Sequence, residues 1–190
     1  MRARDTAASW GWVTRVLHWG IAGLILFQIG LGIGMTREGV DLLTRFDLTQ
    51  THKSWGAVIF VLVFLRIGWR LAARARPGLP AGMPRWQRRA ARVSHAVLYV
   101  LMVLVPVSGW VHAAAAPEQD LLGIENMVFG VVVLPDPWRP GVAWISEAAA
   151  AVHGAGAWTL LALIALHAGA VLAHGLRRGD PVLARMTWGR

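Results

Sequence analysis

Residues 148–174 read AAAAVHGAGAWTLLALIALHAGAVLAH, and no formal charge falls between Glu147 and Arg177. Such a run is long enough and apolar enough to cross a bilayer as one helix. It carries His153, His167 and His174. His153 and His167 are 14 steps apart, which at 100° per residue falls about 40° short of whole turns and separates them by roughly 21 Å along the axis. His174 follows seven steps later and returns to the same face. One helix thus aims an imidazole from near each end in the same direction. Polar side chains in hydrocarbon are costly and usually mark function, and neutral imidazole is a standard axial ligand of haem iron. The pattern predicts a membrane helix that holds two stacked haems, with the rest of the chain supplying the partner ligands.

Composition fits that expectation. Of the 190 residues 56% are hydrophobic, and the mean hydropathy is +0.50, above what an ordinary soluble domain carries. The apolar residues come in blocks, so the class expected is an all-α integral membrane protein, a single domain over 1–190. There is no cysteine, which excludes disulfides, iron–sulfur clusters, thiolate zinc sites and covalent c-type haem attachment. Any haem is therefore held non-covalently. No cleavable signal peptide is expected, because the first apolar run is long and lacks a small-residue cleavage site.

Along the chain, a first helix is expected at about 12–35, with His18 and Trp19 about one turn after Arg15. A short connection bearing Glu38, Asp41 and Asp47 leads to a second helix at about 51–71, opened by His52. Residues 70–92 hold seven arginines and no acid, and Pro77, Pro80 and Pro84 argue against helix there. A third helix is expected at about 93–116, with His95 near its start, Tyr99 beside it and a kink at Pro106. Residues 117–147 contain Glu118, Asp120, Glu125, Asp136 and Glu147 against Arg139 alone, and the apolar stretch MVFGVVVLP is too short to span. They read as a periplasmic or interfacial segment. The fourth helix is the opening stretch, at about 148–174.

Arginines concentrate in the N-terminus, the 70–92 connection and the tail. The positive-inside rule then gives a four-helix bundle with both termini cytoplasmic. The formal charge of +9 reports topology and contact with lipid headgroups, so no nucleic-acid partner is expected. Trp12, Trp55, Trp69, Trp110 and Trp144 fall near the interfaces this topology defines.

Orientation sorts the histidines by depth. The outer layer offers His52 with His153; the inner layer offers His167 with His18 or with His95, and depth alone leaves both open. A single histidine at a membrane-helix end is ordinarily interfacial, which suits His112 but not the matched pairs. Gly56, Gly20, Ala22, Gly154, Gly156 and Gly169 lie near these histidines and would let backbones and a flat macrocycle approach. Arg66 stands 14 steps after His52 on the same helix face. Haem propionates need cationic partners, which makes Arg66 and Arg70 candidate propionate contacts; the competing role for Arg66 is snorkelling to cytoplasmic headgroups.

These residues resemble the bacterial cytochrome b561 family, which is similar to the di-haem membrane subunits of nickel–iron hydrogenases and formate dehydrogenases. The resemblance rests on His18-Trp19, on His52-Lys53-Ser54-Trp55-Gly56, on His95 with Leu98-Tyr99 and on Pro106-Val107-Ser108-Gly109-Trp110. It extends through His153, His167 and His174 at their spacing to the tail from Arg178 to Met186. It covers the chain except about 36–49 and 117–147. It implies an inner haem b on His18 and His167, an outer haem b on His52 and His153, and electron exchange with ubiquinone. Family members often carry two consecutive histidines at the end of the fourth helix; here His174 precedes Gly175. His95 and His174 remain candidate quinone or propionate contacts near the inner haem. The function expected is a di-haem electron carrier of the inner membrane between the quinone pool and a periplasmic redox species. The first alternative is a superoxide:ubiquinone oxidoreductase, and a remote one is a haem-free transporter. The outer connections, with Lys53, hold eight acids against four basic residues. That balance disfavours steering of anionic superoxide and suits a cationic docking protein.

Overall fold

The protein's architecture is taken from a computed structural model that describes residues 2–78, 82–178 and 182–187. Helix α1 spans Trp12–Met35, α2 Leu42–Ala72, α3 Arg85–Ala115, α4 Pro117–Leu122, α5 Ala143–Arg178 and α6 Val182–Thr187; the strands β1, Met127–Val128, and β2, Val132–Val133, form an antiparallel hairpin. Four helices, α1, α2, α3 and α5, are long and apolar enough to cross a membrane. The mean hydropathy of their best windows is 1.7 to 1.9. Large apolar side chains such as Leu26, Phe27, Val61, Phe64, Val100 and Leu166 point outward from the bundle, as lipid-facing residues must.

Three helices reach further than the apolar pattern suggests. α2 starts at Leu42 rather than near Thr51, because the Asp41 carboxylate accepts the Thr44 amide (3.0 Å) and caps the first turn. That bond holds the exposed carboxyl below its ordinary range. α3 starts at Arg85 rather than Val93. Pro84 sits immediately ahead of its first turn, where a proline is tolerated, and arginine is a good helix former. Thus Arg85, Arg88, Arg89 and Arg92, read as a connection, are helical. α5 takes in Trp144 to Glu147 at its start and runs past His174 to Arg178. Helices of 31 residues extend about 46 Å against a hydrocarbon core of about 30 Å, so their polar ends lie beyond it. Helix α3 continues through Pro106. Of the tail motif, Gly179, Asp180 and Pro181 lie outside the described residues, as does Pro80 of the basic connection.

Helix α6 and the start of α1 lie at one end of the bundle. Trp19 Nε1 donates to the Met186 carbonyl (3.0 Å) and Arg15 Nη1 to that of Thr187 (2.9 Å), seating α6 on the start of α1. This is called the terminal end below, and the opposite one the hairpin end. At the hairpin end, residues 117–142 fold over the bundle. Asn126 Nδ2 donates to Gln119 Oε1 (3.1 Å) and Asp136 Oδ1 (2.6 Å), and Gln119 Nε2 donates to Asp136 Oδ2 (3.0 Å). The hairpin turn places Phe129 at φ 50, an uncommon conformation for a bulky residue. Its amide donates to Ser54 Oγ on α2 (2.8 Å), and its ring meets Trp55 edge-on at 5.5 Å.

The long helices associate as two pairs. α1 packs along α2 and α3 along α5, α2 touches α3, and α1 barely meets α5. Ile21 and Ile25 of α1, Ile59 and Val63 of α2, Leu98, Leu101 and Met102 of α3 and Leu160 of α5 form one buried cluster. In sequence it falls between His18 and Gln28 on α1, between His52 and Arg66 on α2 and midway between His153 and His167 on α5. An apolar belt therefore divides the bundle into two polar layers.

Replacing Asp41 by Ala is expected to speed amide exchange over residues 42–46 and leave the rest of α2 protected, read by hydrogen–deuterium exchange. The carboxylate is the capping form and its folded pKa is lowered. In the wild type this protection should accordingly hold above the ordinary carboxylate range and be lost only as pH falls below it.

Candidate functional site

At the hairpin end, His52 of α2 and His153 of α5 face each other with ring centroids 5.9 Å apart. The third helix orients this pair. His153 Nδ1 lies 2.8 Å from the Val105 carbonyl. A carbonyl only accepts, so the ring proton is on Nδ1 and the Nε2 lone pair is free. This outer bond is the one that ligating histidines commonly make to fix their tautomer. Ser108 Oγ donates to the same carbonyl (2.9 Å). At Gly109 a Cβ would stand 2.8 Å from His153 Nδ1, and at Gly156 one would stand 2.8 Å from Val105 Cγ2. The stretch Pro106-Val107-Ser108-Gly109 thus forms the seat of His153. Beside His52, a cavity of about 370 Å³ lies between α2 and the hairpin, lined by Phe46, Gln50, Ser54, Met127 and Phe129 among others.

At the terminal end, His18 of α1 and His167 of α5 have centroids 6.3 Å apart, and His95 of α3 stands 5.1 Å from His167. Three helices therefore bring three imidazoles together. Arg66 Nη2 lies 2.8 Å from His18 Nδ1, and Arg66 Nε donates to Tyr99 Oη (3.2 Å). Guanidinium has no acceptor, so His18 Nδ1 accepts here. Arg66 and Arg70 both hold their guanidinium carbons 5.6 Å from the Tyr99 ring centroid, within cation–π range. Tyr99 thus gathers both cations beside the histidines. His174 is half-buried on α5, and among the described residues it makes no hydrogen bond or ring contact. His112 is exposed and engages Ser146, its Nδ1 being 2.8 Å from Ser146 Oγ. That ties α3 to α5 outside both layers.

The donor sets fit haem. With metal–imidazole bonds of about 2 Å and a ring nitrogen about 1 Å from its centroid, two rings on one iron stand about 6 Å apart. The pairs at 5.9 and 6.3 Å match this, while His95 and His167 at 5.1 Å are closer than one iron allows. Each matching pair takes one histidine from the α1/α2 side and one from α5, across the seam where those helix pairs meet least. Cβ atoms at Gly20, Gly154 and Gly169 would meet nothing within 4 Å, so these glycines are not close-packing sites between helices.

Two contributors escape a reading by histidine spacing. One is the Val105 carbonyl, which no side-chain pattern announces. The other is Gln28 of α1, nine-tenths buried, whose Nε2 donates to the His52 carbonyl (2.8 Å). It is the one side chain between Trp19 and Thr36 that carries an amide, hydroxyl or charged group. That isolation in an apolar run was the available signal.

Residues 9–189 match the family model described as prokaryotic cytochrome b561. The chain is 27% identical over 186 residues to cytochrome b561 homolog 2 of Escherichia coli K12, covering 98% of this chain and 95% of that one. It is 29% identical over 144 residues to cytochrome b561 homolog 1 of the same organism, covering 75% and 76%. Cytochrome b562 of Cereibacter sphaeroides is 27% identical over 174 residues, covering 90% and 89%.

Gly109→Ala should force the His153 ring off the Val105 carbonyl. The expected signs are loss of a slowly exchanging His153 Nδ1 proton in histidine-selective NMR and a lowered Tm, consistent with about 1–3 kcal/mol for overpacking. Gly20→Ala, which meets open space, should change neither.

Proposed function

We infer the function from family and geometry together: the chain belongs to the prokaryotic cytochrome b561 family and is a b-type electron-transfer cytochrome of the bacterial inner membrane, crossing it several times. We propose that it holds two haems b and carries electrons across the membrane between the quinone pool and a periplasmic redox species. The observation that carries this reading is the pair of imidazole spacings, 5.9 and 6.3 Å, one at each end of the bundle. Bound haem b supplies reversible one-electron chemistry.

The remaining work belongs to the chain. His52 and His153 hold the iron of the hairpin-end haem, and His18 and His167 that of the terminal-end haem. His153 is presented in the ligating tautomer by the Val105 carbonyl. A neutral His18 that ligates through Nε2 carries its proton on Nδ1. That releases Arg66 to pair with a haem carboxylate, with Arg70 as the second cation beside Tyr99. The belt of Ile21, Ile25, Ile59, Val63 and Leu160 keeps water out of the space between the layers. His95, next to His167, and His174, one helical stretch beyond, border the terminal-end haem as quinone contacts. With arginine-rich segments on the cytoplasmic side, both termini are cytoplasmic and the His52/His153 layer faces the periplasm. The acidic outer connections favour a cationic periplasmic redox protein as the exchange partner.

Pyridine haemochrome analysis of purified protein should give two haems b per chain. His153→Ala and His167→Ala should each give one, while His95→Ala should keep both. Full haem content in both ligand variants would sink the assignment, and loss of a haem in His95→Ala would replace His18 as the inner ligand. Mixing the reduced protein with ubiquinone should oxidise it, and an excess of a cationic periplasmic cytochrome should compete in a salt-sensitive way.

A further inference from the structure

The hairpin-end pair is supported unequally. His153 has its Nδ1–H on the Val105 carbonyl. His52 Nδ1 is closed off from solvent and makes no hydrogen bond of normal geometry among the described residues, the Gln28 main-chain carbonyl being the one backbone acceptor that bears on its ring. Ligation through Nε2 leaves the proton of a neutral imidazole on Nδ1, so His52 needs an acceptor there. A buried donor without one is costly.

α1 brings the complementary atom. Gln28 is 9% exposed, and its Nε2 donates to the backbone carbonyl of His52 itself (2.8 Å). The other end of the same carboxamide, Oε1, is likewise buried without a partner among the described residues. An acceptor and a donor, each without a partner of normal geometry and not bonded to one another here, are thus carried by two residues already joined by the bond from Gln28 Nε2 to the His52 carbonyl. The surroundings are cut to admit the amide. At Gly56, one turn along α2, a Cβ would stand 3.3 Å from Gln28 Nε2, and at Gly32, one turn along α1, a Cβ would reach within 3.6 Å of His52 Cε1. α1 needs no polar group here for its own histidine, since His18 lies ten residues earlier in the other layer.

We propose that Gln28 is a positioning residue of the hairpin-end site: its amide nitrogen holds the His52 backbone, and its Oε1 accepts the His52 Nδ1 proton, presenting Nε2 to the iron. The proposal rests on the two-haem reading above. A bond donated from Nδ1–H makes the imidazole a stronger ligand and favours ferric iron. Removing the acceptor therefore raises the midpoint potential of that site and loosens its haem. The other layer, served by His18, His167 and Arg66, is left alone.

The test is potentiometric titration of detergent-purified holoprotein, in the full chain and in the His167→Ala background that isolates the outer site. It is joined by competition for haem with apomyoglobin. Gln28→Met, close in volume, should raise the outer midpoint, leave the inner one in place and weaken outer haem retention about 10-fold or more. Gly56→Ala, which only crowds the amide, should shift the outer midpoint in the same direction by less. Unchanged outer potential and retention in folded Gln28→Met, or equal shifts at both sites, overturn the proposal. If Gln28→Met does not fold, an unchanged outer site in Gly56→Ala overturns it. A wild-type chain that holds fewer than two haems fails at the first titration, and that result sinks the function reading itself.

Discussion

A neutral imidazole inside hydrocarbon presents one nitrogen that must donate and one that can ligate, and the donating nitrogen needs a partner the lipid cannot supply. The bond from His153 Nδ1 to the Val105 carbonyl meets that need, and much of the bundle is arranged around it. It bears on why α3, which carries neither His52 nor His153, packs so closely along α5. It explains Gly109, where any side chain would displace the ring, and Gly156, where one would strike Val105. The acceptor is a backbone carbonyl, available at any position on a helix, so specificity comes from the small residues that let the ring reach it.

The two helix pairs give this arrangement its geometry. Each pair is internally close-packed, and the two meet through a narrow apolar belt at mid-depth. Above and below that belt the seam is spanned by facing histidines. A flat macrocycle with ligands on both faces requires helices that approach without interdigitating, and separately packed pairs satisfy this. On one face of α2, His52 stands toward the hairpin end and Arg66 toward the terminal end, where Tyr99 of α3 steadies Arg66 and Arg70 beside the histidines.

The segment between α3 and α5 serves the hairpin-end layer in another way. Its Gln119–Asn126–Asp136 network folds it on itself, and a single turn held at positive φ hands the Phe129 amide to Ser54, two residues from His52. It thereby roofs the end of α2 that bears His52 and forms the wall of the adjoining cavity. Its outer surface mixes acidic residues with exposed apolar ones such as Leu121, Leu122 and Val131, while the Phe129 ring meets Trp55 on the bundle side.

Sequence by itself determined the class, the four crossings, the two histidine layers and the family, because each rests on a property read along the chain: apolar length, a 14-residue spacing, a charge bias between connections, motifs in order. It missed the true starts of α2 and α3, since hydropathy reports where lipid begins and not where the helix begins. Asp41 capping and arginine propensity carry both helices into water. Depth alone also left His18 and His95 equal beside His167. Only the tertiary structure gives their distances from His167, 6.3 and 5.1 Å, because the distance between rings depends on how helices pack and not on where each begins. The same holds for the Val105 carbonyl and for Gln28. A hydrogen bond across a seam has no pattern along the chain, and it exists only once two helices have fixed their rotation and height against each other.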